Sequence, residues 1–149
     1  NLQGDMPTVS KSMLKKLLYL KTNLDCEITT LAAKIMDKEE ETDTNVVKVV
    51  FSDYSDKKGG KALYFSRSRI PFGSGPLFHH VGLYCFNRET LKTFVNLKQS
   101  KLELLESLEQ LRALEAGMNI FVGKIDEVPI GVDNLSDYQK ASAYINKHG

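Results

Sequence analysis

Val46-Val-Lys-Val-Val-Phe51, the polar run Ser52 to Gly60, and Lys61-Ala-Leu-Tyr-Phe65 form the stretch whose reading decides the fold. The first run is so rich in β-branched residues that it reads as a strand buried on most of its surface, and the last is strand-like as well. The polar run between them ends in Gly59-Gly60, a turn composition, so the pair reads as an antiparallel hairpin. Working outward on the N-terminal side, the acidic segment Asp37 to Asp43 reads as a solvated helical turn or loop. Before it, Cys26 to Lys34 sets Ile28, Thr30 and Ala32 on one alternating face against Thr29, Leu31 and Ala33 on the other, a strand pattern. Earlier still, Met13, Leu14, Leu17, Leu18 and Leu20 recur at helical spacing among lysines, with Ser10 placed to cap the helix.

On the C-terminal side, Pro71, Gly73, Gly75 and Pro76 mark a loop before the strand His80 to Phe86, and Arg88 to Val95 reads as a helix. A further helix opens at Ser100, where Ser100 and Glu103 fit a capping box. It closes at Gly117 in the left-handed C′ position and is expected to bury Leu104, Leu108 and Leu111. Ile120 to Ile125 is another strand and Tyr138 to Lys147 a terminal helix with Ala141, Tyr144 and Ile145 on one side. Alternating strands and helices predict one α/β domain, and the hairpin makes its sheet mixed; the expectation is a mixed, mostly parallel sheet flanked by helices.

Composition narrows the function classes. The 149 residues, 42% of them hydrophobic, suffice for one core. Twenty basic and 19 acidic residues, interspersed, give a net charge of +1 and no electrostatic footprint for nucleic acid. No apolar stretch approaches the roughly 20 residues of a membrane-spanning helix. Cys26 and Cys85 stand far apart without a C-x-x-C pair or zinc-ligand spacing, and read as reduced core thiols. The residues show no signal-peptide pattern, and the expected location is the cytoplasm.

Asp5 and Asp133 each follow a glycine and a strand-like segment. In open α/β sheets ligands collect at the carboxyl ends of strands, so the two carboxylates are expected to converge on one cleft. Mg²⁺ prefers a few carboxylate oxygens together with phosphate oxygens and water. Against this stands a plainer reading, since Gly-Asp and Gly-Val-Asp are common turns and most of the 19 acidic side chains must be solvated.

Four blocks carry a resemblance: Ala62-Leu-Tyr-Phe-Ser-Arg67, His79-His-Val-Gly-Leu-Tyr84, Leu108-Glu-Gln-Leu-Arg-Ala-Leu-Glu115 and Ile130-Gly-Val-Asp133. With the opening Asn1-Leu-Gln-Gly-Asp-Met-Pro7, similar to a Gln-Gly-Asp-x-Pro metal-binding turn, they resemble the 3-deoxy-manno-octulosonate (Kdo) cytidylyltransferases from Asn1 to about Tyr138. The resemblance implies a nucleotide-diphospho-sugar transferase-like fold of which residues 1–149 are the C-terminal portion of a single domain. It has no counterpart to that family's N-terminal nucleotide-phosphate loop.

The implied reaction joins Kdo to CTP, giving CMP-Kdo and pyrophosphate for lipopolysaccharide synthesis. Asp5 and Asp133 would be the catalytic pair holding Mg²⁺, with Gln3 beside them. Arg67, His80, Glu109 and Gln110 would recognise Kdo, Arg67 through its carboxylate, and Tyr84 would donate a hydroxyl. Because neighbouring strand residues alternate faces, only one of His79 and His80 is expected to serve the cleft. Each residue has a plainer role: Arg67 exposed at a strand end, His80 a hydrogen-bonded structural histidine, Tyr84 a core aromatic, Glu109 and Gln110 a helix surface. A homodimer is expected.

Two other readings stand beside this one, a cytidylyltransferase for another acidic sugar such as an acylneuraminate, and a non-catalytic fragment retaining the sugar-side half and a dimer surface. A molecule made of these residues alone is expected to show neither CTP binding nor turnover.

Overall fold

The computed structural model describes residues 1–52, 59–132 and 134–148. Most of the turn expected over Ser52 to Gly60 therefore lies outside the described residues, as does Asp133. The elements run α1 (Lys11–Asn23), β1 (Ile28–Lys34), β2 (Lys48–Phe51), β3 (Gly59–Ser66), β4 (Phe78–Phe86), α2 (Arg88–Asn96), α3 (Lys101–Glu106), α4 (Gln110–Glu115), β5 (Ile120–Ile125) and α5 (Leu135–His148).

The class is the mixed α/β one read from the sequence, but the balance of the sheet is corrected. The strands close into a barrel in the order β1-β4-β2-β3-β5, and of the adjacent pairs only β1 with β5 is parallel. The reason lies in the connections. Parallel neighbours need a long crossover, usually helical. Among the described residues no helix falls between β1 and β4, and the helices α2 to α4 come together between β4 and β5. The helices α2 to α4 join β4 to β5, which flank β1 on opposite sides and run antiparallel to each other, so β5 returns parallel to β1, Ile28 opposite Ile120 through Ala33 opposite Ile125.

The hairpin of β2 and β3 is present, Lys48 facing Ser66 and Val49 facing Phe65. Where β3 meets β5, Gly59 lies opposite Gly123, and a Cβ on Gly59 would stand 2.1 Å from the Val122 carbonyl oxygen. Only glycine permits that approach.

Period-2 alternation in β1 sorts the core. Ile28 and Ala32 join Val49, Phe65, Tyr84, Leu108, Leu111 and Val122 in one cluster, whereas Leu31 faces Leu17, Leu20, Val81, Leu83 and Phe121 in another under α1. Ser10 caps α1 by accepting from the Met13 N–H at 3.3 Å. Asn87 does the same for α2, accepting from Thr90 at 2.7 Å.

The expected helix from Ser100 to Gly117 is broken. Its capping box is intact, with Ser100 and Glu103 exchanging bonds, and Gly117 takes φ +79° after α4. Between them Ser107 adopts φ 55° and divides the segment into α3 and α4. The buried stripe shifts accordingly: Leu108 and Leu111 are buried, but Leu104 is 63% exposed. In α5, Ala141 is buried while Tyr144 and Ile145 remain substantially exposed. No helix among the described residues is long and apolar enough to cross a membrane.

Candidate functional site

The cleft opens where β4 leaves its neighbours. β2 pairs with β4 at Lys48 opposite His79, backed by the His80 N–H donating to the Val47 carbonyl at 2.8 Å. Farther along the same strand, Tyr84 and Asn1 exchange backbone bonds of 2.6 and 3.2 Å, which lays the first residues beside β4. Gln3 is thereby held over Gly82, where an added Cβ would meet the Gln3 Oε1 at 3.5 Å. The α3–α4 junction supplies the opposite wall. Gln3, Arg67, His80, Tyr84, Glu109 and Gln110 all line one cleft of about 300 Å³, together with Asn45 and His79. Both histidines border it, where alternation along β4 leads one to expect a single one.

Arg67 is fixed by backbone oxygens. Its Nε donates to the Glu106 carbonyl at 3.1 Å, Nη1 to Thr44 at 2.9 Å and Nη2 to Ser107 at 3.5 Å. A guanidinium has five N–H donors, so two remain for an anionic ligand. Glu106 holds this corner from below, accepting from the Ser66 hydroxyl at 2.9 and 3.0 Å and from the Arg67 backbone N–H at 3.0 Å. Lys48, fully buried, donates to the carbonyls of Asp43 at 2.5 Å and Arg67 at 3.3 Å, and burial pulls its ammonium below the usual lysine range.

His80 is neutral in this setting. Burial, reinforced by neighbouring His79, lowers its pKa to about 3. The same burial, with Glu109 nearby, raises the Tyr84 phenol so that it keeps its proton. Gln110 is 6% exposed and Glu109 is exposed, so the helix start presents one sheltered amide and one solvated carboxylate to the cleft. His79 Nδ1 is buried without a hydrogen bond, the Glu40 carboxylate lying 3.6 Å away.

Asp5 lies outside that cleft, exposed in a turn rather than at a strand end. Its carbonyl accepts from the Val132 N–H at 2.8 Å, so the two segments expected to carry the carboxylate pair run side by side at this point. The strand read before Asp133, Ile120 to Ile125, is present as β5, and residues 126–132 beyond it form no strand. The expectation for Asp133 falls outside the described residues, among which no cluster of three or more His, Cys, Asp or Glu is arranged to hold a metal.

Sequence reasoning left three contributors unassigned. Lys48 reads as the one charge in a β-branched strand, Glu106 as one more exposed helix carboxylate, and Thr30 as a strand filler. Only the folded arrangement gives them partners. Arg112, inside a recognised block, turns out to be structural: it clamps Glu103 at 2.8 and 2.5 Å and lies 5.6 Å from the Phe94 ring centre.

A concave site furnished with amides, a guanidinium, a phenol and imidazoles is typical of α/β domains that hold small polar ligands. The chain belongs to the cytidylyltransferase family, whose model matches residues 1–120. It is similar to the 3-deoxy-manno-octulosonate cytidylyltransferase of Rhizobium meliloti (strain 1021), 52% identical over 141 residues that cover 95% of this chain and 56% of the relative. The enzyme of that name from Rhodospirillum centenum is 47% identical, covering 98% of this chain and 57% of the relative. A solved structure of CMP:2-keto-3-deoxy-manno-octonic acid synthetase complexed with CTP superposes with a TM-score of 0.88 at 32% identity, covering all of this chain and 61% of that one. The chain thus spans a little over half the length of these relatives.

Proposed function

We propose that this chain forms the sugar-side half of an enzyme that transfers CMP from CTP to Kdo and releases pyrophosphate, supplying lipopolysaccharide synthesis in the cytoplasm. The observation that carries the reading is the gathering of Gln3, Arg67, His80, Tyr84, Glu109 and Gln110 around one cleft in a chain similar to enzymes named for that reaction. The chemistry suits an acidic, hydroxyl-rich sugar. The free donors of Arg67 answer a carboxylate, the Tyr84 phenol donates to an oxygen, and Glu109 and neutral His80 accept from hydroxyls.

Asp5 and Asp133 would hold Mg²⁺, which when bound offsets phosphate charge during attack of the sugar hydroxyl on the α-phosphate. Support for the pair is the Val132 to Asp5 backbone bond, which joins their segments. A homodimer completes the proposal.

The test uses the complete protein with CTP, Mg²⁺ and either Kdo or an acylneuraminate, reading pyrophosphate release and the nucleotide sugar by mass. CMP-Kdo as the main product, strictly dependent on a divalent cation, is the expected result. Transfer confined to the neuraminate, or no transfer to either sugar, overturns the assignment. Sedimentation of the same material reads the dimer.

A further inference from the structure

The bulge in β4 gives one β1 residue an unusual task. The register passes from Thr30 opposite Tyr84 to Leu31 opposite Val81, so Gly82 and Leu83 have no partner in β1. The Thr30 hydroxyl fills this gap, lying 2.8 Å from the Leu83 carbonyl oxygen and 3.2 Å from that of Val81. It also lies 2.9 Å from His80 Nε2.

A hydroxyl has one proton, and a carbonyl oxygen can only accept. If Thr30 gave its proton to His80, two carbonyl oxygens would face its lone pairs at close range in a fully buried spot, with nothing to share. If Thr30 instead donates to Leu83, its own oxygen is free to accept from a protonated Nε2, and every group is satisfied. The His80 ring cannot turn away from this arrangement, since Phe65 meets it edge-on at 4.8 Å and Tyr84 flanks it at 5.5 Å.

The geometry points to Thr30 as a positioning residue that locks His80 in its neutral Nε2–H tautomer and turns the bare Nδ1 lone pair into a fixed acceptor for a hydroxyl of the ligand in the cleft. His80 then reads a sugar hydroxyl, and it contributes nothing to binding a carboxylate, a task left to Arg67. This rests on the cleft being the sugar site, but the tautomer itself does not.

The test is therefore made in two arms on the complete protein. With ¹⁵N-labelled histidine, long-range proton–nitrogen correlation spectra assign the imidazole state of His80 directly. The expected pattern is a protonated Nε2 and an unprotonated Nδ1, and the opposite tautomer or an imidazolium overturns the proposal whatever the enzyme turns over. In the second arm, Thr30→Val removes the hydroxyl at nearly constant shape. The His80 spectrum is expected to change to a tautomer mixture, and KM for the sugar to rise roughly tenfold with a smaller change in kcat, the size of one hydrogen bond. Thr30→Ser restores both. A purely structural Thr30 would lower the melting temperature and leave the tautomer and KM in place. If Thr30→Val does not fold, the wild-type spectrum and the Thr30→Ser variant still decide the matter.

Discussion

At the scale of single residues, the cleft is built from side chains whose polar atoms are mostly committed to the protein itself. Arg67 is the example, spending three donors on carbonyls so that the remaining two point where the loop and the α3–α4 junction place them. Arg112 and Glu103 show the same economy carried to completion. Their paired bonds leave both side chains largely buried, and the guanidinium holds the Glu103 carboxyl below the usual carboxylate range.

Replacing Arg112 with Met strands that carboxylate and is expected to cost about 3 kcal/mol, read as a lower urea midpoint at neutral pH. Because the folded-state pKa of Glu103 is depressed, its contribution is fully present above the unfolded value near 4.5 and disappears as pH falls through the lower folded value. The gap between wild type and Arg112→Met should accordingly narrow below about pH 4. An unchanged gap across that window contradicts the assignment. From sequence alone Arg112 was inseparable from its block neighbours Glu109 and Gln110, because which helix positions face a ligand and which face a buried acid depends on where the helix breaks.

At the scale of elements, that break is the feature the sequence conceals. Ser100, Glu103 and Gly117 announce a start and a stop, and nothing in between carries a glycine or proline to signal an interruption. Yet Ser107 sits at φ 55°, where an L residue is strained, and its carbonyl accepts from Arg67. The turn lets α4 begin at the cleft, which is why Gln110 is sheltered there and Leu104 is not buried. Ser107→Gly should leave the thermal midpoint unchanged or raise stability by up to about 1 kcal/mol, whereas Ser107→Val should lower it by roughly 1 to 2 kcal/mol. Equal stabilities for the two variants would remove the case for a required left-handed residue.

The strands were more legible. β1, β4 and β5 follow from runs of alternating or β-branched residues, and the hairpin of β2 and β3 from the turn composition between them. Their pairing was not legible. Local patterns encode which face of a strand is apolar but not which strand lies beside it, and the parallel bias expected of alternating elements gave way to the clustering of helices after β4.

At the scale of the whole molecule, the sheet has a seam. β3 and β5 meet through Gly59, Gly60 and Lys61 against Gly123, Val122 and Phe121, and the ring closes only because the backbones approach closely there. Gly59→Ala should force the seam apart, costing about 3 kcal/mol or more and exposing to rapid hydrogen exchange the β5 amides that face β3, while those facing β1 and the hairpin of β2 and β3 stay protected. Retention of slow exchange at the β3-facing amides would mean that the closure tolerates a methyl group.

The parallel contact of β1 with β5 has one further consequence, in the order of events as the chain is made. Residues 28–34 leave the ribosome long before residues 120–125 exist, so β1, buried along nearly all its length, waits with one edge bare while everything from β2 to α4 is synthesised. The β1–β5 closure is the slow step, because so long a loop must close before this pairing is rewarded, whereas the hairpin of β2 and β3 can form locally beforehand. A nascent β1 held open in this way is the segment that a holdase chaperone would be expected to cover.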